Sequence, residues 1–265
     1  MSIIAIVRAS YSHGKTIAEA VARELDYQCI SEEVISMASQ QFDIPENWLR
    51  RAVDNAPTLR DRFSYGKKKY IAYIRSALLE FAANDNLVFH ALAGHFLLEG
   101  IPNVLRVMVS ATIDERVKEI IKQKNISKKE ALKTIDKFDK ERKKWALYFY
   151  NRDPWDFSMY DLSLVIGRLT VNDAVEKILS TVKLPAFQTN ASSIKILENE
   201  KLAARIKSDL MNFYADVEVS ADNGTVTVHI KRSLKQEAAL TEDISSILME
   251  LPGVKNVHVN VIPVY

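Results

Sequence analysis

Only one cysteine, Cys29, occurs among 265 residues, which excludes an intrachain disulfide framework. No group of Cys and His has zinc-ligand spacing, and His90 and His95, five residues apart, do not share a helical face. A reducing, cytoplasmic setting is the expectation. Long apolar runs are also missing. The stretch from Ile3 to Val7 ends at Arg8, with no basic start and no small-residue cleavage site, so it is too short for a signal peptide's core. A membrane span needs about 20 apolar residues, which the chain nowhere offers. Charge of one sign is lacking as well. Lys and Arg number 36 against 34 Asp and Glu, interspersed along the chain, for a net +2. That balance gives no electrostatic reason to expect nucleic acid as a partner.

What is present is ordinary globular material: 48% hydrophobic and 26% charged residues, enough for one medium domain and one small one. Ile3 to Val7 reads as a strand covered on both faces. A turn follows, and Ile17, Val21 and Leu25 then recur at four-residue spacing as the buried stripe of a helix. Tyr27 to Ile30, Leu87 to His90, Val104 to Val109 and Leu162 to Ile166 are further short apolar runs separated by helical stretches. That alternation predicts a three-layer α/β/α domain on a parallel sheet. Thr112 with Glu115 and Ser127 with Glu130 have capping-box spacing, the second opening a long charged helix to about Tyr150.

After Pro185 the texture turns polar, Gln188-Thr189-Asn190-Ala191-Ser192-Ser193, and a linker is expected over 185–198. The expected division is therefore a first domain at 1–184 and a small α+β domain at 199–265. In the latter, a helix around Leu202 to Phe213 precedes alternating valines. Asn223-Gly224 between two such runs signals a hairpin. A helix from Leu240 to Leu251 and a strand through Val257, Val259 and Val261 complete it.

The chemistry concentrates at positions 9–16, Ala-Ser-Tyr-Ser-His-Gly-Lys-Thr, which meet the phosphate-loop pattern except at its first glycine. Such a loop needs N–H groups turned onto a phosphate at a helix N-terminus, a lysine for the outer phosphates and a hydroxyl for Mg2+. Ser12, His13, Gly14, Lys15 and Thr16 are the candidates for the phosphate, with Thr16 the metal-binding one. Tyr11 and His13 bring bulk into a loop that must approach its anion closely. The alternative is a strand-to-helix turn capped by Ser12 in which Gly-Lys-Thr is accidental.

Ile17-Ala18-Glu19, Leu25-Asp26-Tyr27 and Ser31-Glu32-Glu33-Val34-Ile35 continue from this loop. With Pro102 to Val107, Asp139-Lys140-Glu141-Arg142, Tyr160-Asp161-Leu162 and Gly167-Arg168, the chain over roughly 1–182 resembles the cytidylate-kinase-like P-loop phosphotransferases. The resemblance implies ATP and Mg2+ as cofactors and a nucleoside monophosphate or similar small acceptor. It also implies that Arg142 lies in a lid over ATP and stabilises the transferring phosphoryl group, with Lys15 as its catalytic companion. Asp139 would orient that lid, and Arg168 would lie near the adenine.

The chain departs from the family where Ser31-Glu32 replaces Asp-Arg and Ala91-Leu92-Ala93 replaces Gly-Arg-Gly, so two arginines that grip a monophosphate are gone. Arg60, Arg62 and Arg75 are the substitutes at hand, and Lys67-Lys68-Lys69 is the densest basic stretch. His90 also stands where a metal-positioning carboxylate is usual. Leu251-Pro252-Gly253-Val254-Lys255-Asn256-Val257 and the order of elements make the C-terminal part resemble a BON domain, which implies a ligand or protein partner. The alternative to a kinase is a nucleotide-binding sensor that signals through that part.

Overall fold

The computed structural model describes residues 2–56, 66–91, 94–233 and 237–263. Five parallel strands run in the order β2-β3-β1-β4-β5: β1 Ile3–Arg8, β2 Gln28–Ile30, β3 Leu87–Ala91, β4 Val104–Ala111 and β5 Leu162–Ile166. Continuous apolar runs suit these strands because helices cover both faces. Ile3 and Ala5 point to one side, against α2 (Glu33–Phe42), α3 (Glu46–Asp54), α4 (Gly66–Ala82) and the short α5 (Gly94–Leu97). Ile4 and Ile6 point to the other, against α1 (Gly14–Leu25) and α8 (Val171–Thr181). Arg106 forks onto Asp161 at 3.1 and 3.2 Å, pinning β4 to the start of β5. The strand order reverses around β1, so the crevice at the carboxyl ends of β1, β3 and β4 is where an open α/β sheet takes its ligand.

Between β4 and β5 rises a helical hairpin of α6 (Ile113–Lys124) and α7 (Lys128–Tyr150). Ser127 and Glu130 form the expected capping box. Thr112 accepts from the Glu115 N–H, but Glu115 reaches Lys118 at 2.7 Å and the Thr112 N–H is taken by Ile166, so the second half of that box is not made.

The polar stretch expected to be a linker is largely helix. After a 3-10 turn at Pro185–Phe187, Asn190 and Ser193 make a reciprocal cap, and α9 runs over Ala191–Leu210. Ser and Asn read as breakers by composition, yet here they satisfy the exposed N–H groups of a helix start. α9 then serves two cores. Leu197 and Ala204 pack in the core above the parallel sheet, whereas Ile206 and Leu210 pack on a second, three-stranded sheet. That sheet comprises β6 (Val217–Asp222), β7 (Thr225–Arg232) and β8 (Asn256–Pro263), with β6 antiparallel and β8 parallel to β7. The helix α10 (Glu237–Met249) packs on it through Ile244 and Leu248. Asn223 and Gly224 turn the hairpin with φ of 53° and 85°, as a two-residue loop requires.

Polar contacts tie α4 to α9 and its end. Arg75 meets Glu200 at 2.7 Å, Lys201 meets Glu80 at 3.0 Å, and the Tyr73 hydroxyl donates to Asn212 at 2.7 Å. Lys69 also reaches Asn212, at 3.2 Å. Beside this joint lies a cleft of about 730 Å3, with Phe96 and Tyr150 on one wall and Lys68, Lys207 and Lys231 among its charged lining. Tyr73→Phe should cost about 0.5–1.5 kcal/mol, the worth of one hydrogen bond, read as a lowered urea midpoint. An unchanged midpoint would mean the joint does not depend on it.

Candidate functional site

The loop from β1 to α1 is shaped by what happens to its carbonyls. The Arg8 carbonyl accepts from Arg142 on α7. The Ala9 carbonyl accepts from the Ser12 hydroxyl at 2.8 Å, and that hydroxyl also lies 3.0 Å from the Val109 carbonyl. The Ser10 carbonyl accepts from Arg116 Nε at 2.8 Å. With the Ala9 and Ser10 carbonyls drawn into the protein, the N–H groups of the same peptide planes, those of Ser10 and Tyr11, face the other way, while the Ala9 N–H is held by the Val109 carbonyl at 2.8 Å. Among the described residues, none of the main-chain N–H groups from Tyr11 to Thr16 donates to a protein acceptor, and His13, at the cap position of α1, makes no side-chain cap.

Ser12 therefore does not cap the helix; its buried side chain anchors the loop from beneath, and only its N–H is free for a ligand. Tyr11 and His13 both hold left-handed backbone, with φ of 60° and 62°, where glycine would sit without strain. The Tyr11 ring is directed away from the loop. It packs with the α6–α7 hairpin, edge-on to Phe138 at 6.3 Å, with Lys124 over it at 5.9 Å. Gly14 is needed for close approach: a Cβ there would stand 2.4 Å from Arg8 Cβ. Lys15 is exposed, 3.7 Å from Glu19, a surface pairing too weak to keep it from a phosphate. Thr16 is exposed in the first turn.

Arg142 and Asp139 are near the loop but not as the lid pair expected. Asp139 holds Arg116 bidentately at 2.8 and 2.7 Å, and it is Arg116 that grips Ser10. Arg116 was missed because nothing in its sequence neighbourhood distinguishes it from a solvated helix charge. Arg142 is only 6% exposed and lies 5.4 Å from the centre of the Trp155 ring. Burial pulls its proton affinity down to about 9, against the opposing pull of Asp139. Arg168 lies exposed in the turn after β5, apart from the loop's clamps, with no partner among the described residues.

Arg75 is committed to Glu200 and the Glu99 carbonyl and Lys69 to Asn212, so neither turns toward the loop. Lys67 lies 3.4 Å from the Asn55 carbonyl. Arg60, Arg62, Leu92 and Ala93 lie outside the described residues. At the carboxyl end of β3, His90 is buried, and burial together with Arg8 lowers its pKa to about 4. Glu33 lies across from it, its pKa lowered chiefly by the Ser31 N–H at 2.7 Å. Burial pushes the Cys29 thiol up to about 11, which makes it a poor nucleophile. Among the described residues no three His, Cys, Asp or Glu converge as a metal site.

A parallel sheet in this order, with an uncapped helix N-terminus, Gly-Lys-Thr and inward-turned carbonyls, defines a P-loop kinase fold. The chain belongs to the cytidylate kinase-like family, whose model matches residues 3–168. An uncharacterized protein from Eubacterium ventriosum has a similar structure, at 19% identity, over 69% of this chain and 98% of that one, with a TM-score of 0.53. Shikimate kinase from Bacteroides thetaiotaomicron aligns at 13% identity over 69% of this chain and 99% of its own, TM-score 0.42. Deoxyadenosine kinase from M. mycoides with bound dATP aligns at 15%, over 69% and 100%, TM-score 0.36. At such identities the likeness concerns the fold alone. No curated protein matches the chain. No helix among the described residues is long and apolar enough to cross a membrane.

The buried histidines make stability fall in acid. His90 has a folded pKa of about 4 and His95, buried against Phe96 and Tyr160, about 3, both below the ordinary 6.5. Below pH 6.5 the unfolded chain takes up protons that the folded chain does not, so stability is lost as pH falls from 6.5 toward 4. Urea midpoints should drop across that window in the wild type and drop less in His95→Gln. Equal slopes would mean that His95 does not resist protonation.

Proposed function

We propose that the protein is an ATP-dependent phosphotransferase that acts on a nucleoside monophosphate or a similar small acceptor. The observation that carries this reading is the orientation of the loop. Three consecutive carbonyls are bound by the protein, and among the described residues no main-chain N–H from Tyr11 to Thr16 has a protein acceptor, so this row and the N-terminus of a 12-residue helix are open to an anion. In this reading the N–H groups from Ser12 to Thr16 cradle the β-phosphate and Lys15 bridges the outer phosphates. Mg2+ would be held by the Thr16 hydroxyl and the nucleotide's own oxygens. The residues present fit such a weakly tethered ion, because Mg2+ usually keeps several of its waters. Arg142 sits at the base of the loop, where its charge favours the transferring group. Catalysis of this kind rests on positioning and charge stabilisation, so no separate nucleophile is needed. Arg168 is assigned to the adenine end.

Residues 1–184 are proposed as the catalytic unit and 199–265 as a BON-like module for a ligand or protein partner. A second reading, a nucleotide-responsive sensor, is favoured by α9, which is shared between the two cores and so transmits a shift in one to the other. Adding Mg·ADP should then slow amide hydrogen exchange in α9 and β6 several-fold; exchange that is unchanged at saturating nucleotide removes the sensor reading.

The kinase reading is tested by ADP formation from Mg·ATP across a panel of nucleoside monophosphates. Lys15→Ala should lower kcat at least about 100-fold on the preferred acceptor, with an unchanged unfolding midpoint. Undiminished turnover in Lys15→Ala would overturn the assignment.

A further inference from the structure

At the carboxyl ends of β1 and β3, three buried polar atoms without a hydrogen-bond partner come from residues that sense one another: Arg8 Nε, His90 Nδ1 and Arg142 Nε. Arg8 lies two residues past the pairing of Ile6 with His90, and it lowers the proton affinity of both His90 and Arg142. Arg142 spends one guanidinium nitrogen on the Arg8 carbonyl, which gives that charge no anionic partner. The carboxylate that acts electrostatically on Arg142 is Asp139, and both its oxygens are taken by Arg116. Arg8 feels Glu32 across space, but Glu32 is hydrogen-bonded to Arg50. A buried and a half-buried guanidinium beside an imidazole, with no carboxylate bonded to either among the described residues, form an arrangement that burial makes costly by itself. An anion bound between them supplies the missing charge.

We propose that Arg8 and Arg142, with the His90 ring as a hydrogen-bonding neighbour, hold the anionic group of the phosphoryl acceptor. They replace the two arginines that the chain lacks at positions 31–32 and 91–93. The Arg8 side chain lies against Gly14 of the loop and Glu33 is an electrostatic neighbour of His90, so an anion held by these residues lies beside the phosphate loop. Guanidinium pairs accept either a phosphate monoester or a carboxylate in a forked geometry. The acceptor is therefore a small molecule that carries one such group. This site deepens the phosphotransferase reading and rests on it only for the role of its ligand.

The test is calorimetric titration of the full-length protein with inorganic phosphate and, separately, with acetate, while saturating Mg·ADP occupies the loop. One further anion should bind, at least tenfold more weakly in Arg8→Gln. Preference for phosphate or acetate then assigns the acceptor's anionic group. Should Arg8→Gln fail to fold by circular dichroism, Arg142→Lys keeps the charge, loses the fork and should weaken the same binding several-fold. Binding that is indifferent to both residues, or no binding of either anion, overturns the proposal. Mg·ADP binding that survives Lys15→Ala unchanged would instead defeat the phosphate-loop reading, and the anion titration repeated without nucleotide still judges Arg8 on its own.

Discussion

The capture of three successive main-chain carbonyls at Arg8, Ala9 and Ser10 is the constraint on which the site depends. A peptide plane that gives its carbonyl to the protein turns away the N–H of the next residue, as at Ser10 and Tyr11, whereas the Ala9 N–H is itself held by the Val109 carbonyl. Arg142, the Ser12 hydroxyl and Arg116 do this from three different directions: helix α7, the loop itself and helix α6. The loop can thus tolerate Tyr11 and His13 where glycine would be easier. Their left-handed backbone costs on the order of 1–3 kcal/mol each, and the surrounding bonds over-determine it. The Tyr11 ring adds to that anchoring because the α6–α7 hairpin gives it an apolar seat.

The same hairpin links the loop to the rest of the molecule. Arg116 and Asp139 form a pair on facing helices, with the Arg116 side chain almost fully buried. Removing either partner would strand a charge, which costs far more than an exposed pair contributes. The α4–α9 joint works differently. Its ion pairs are partly exposed and weak, and the coupling there comes from apolar packing of one helix in two cores. The helix begins at the Asn190 cap within the polar stretch, only three residues after the 3-10 turn at Pro185–Phe187.

Much of the architecture was legible in the chain. The apolar runs at 3–7, 104–109 and 162–166 fall in strands because both faces of a parallel sheet are buried. The Ser127 cap and the Asn223-Gly224 turn were readable because their chemistry is local. The helix start at Asn190 was hidden, since polar residues serve caps and linkers alike and only the apolar partners of α9, far away in sequence, decide between them.

The site divides along the same line. Gly14, Lys15 and Thr16 are recognisable because their spacing is set by one turn of backbone, and the sequence alone determined that a helix would begin there with a lysine and a hydroxyl in its first turn. Only the tertiary structure decided that Ser12 points inward, that Asp139 serves Arg116, and that Arg142 reaches the Arg8 main chain with His90 in electrostatic range of Arg8. Those contacts join residues up to 134 positions apart. Whether a charge on a helix is solvated or buried depends on which surface packs over it, and no local pattern of residues carries that information.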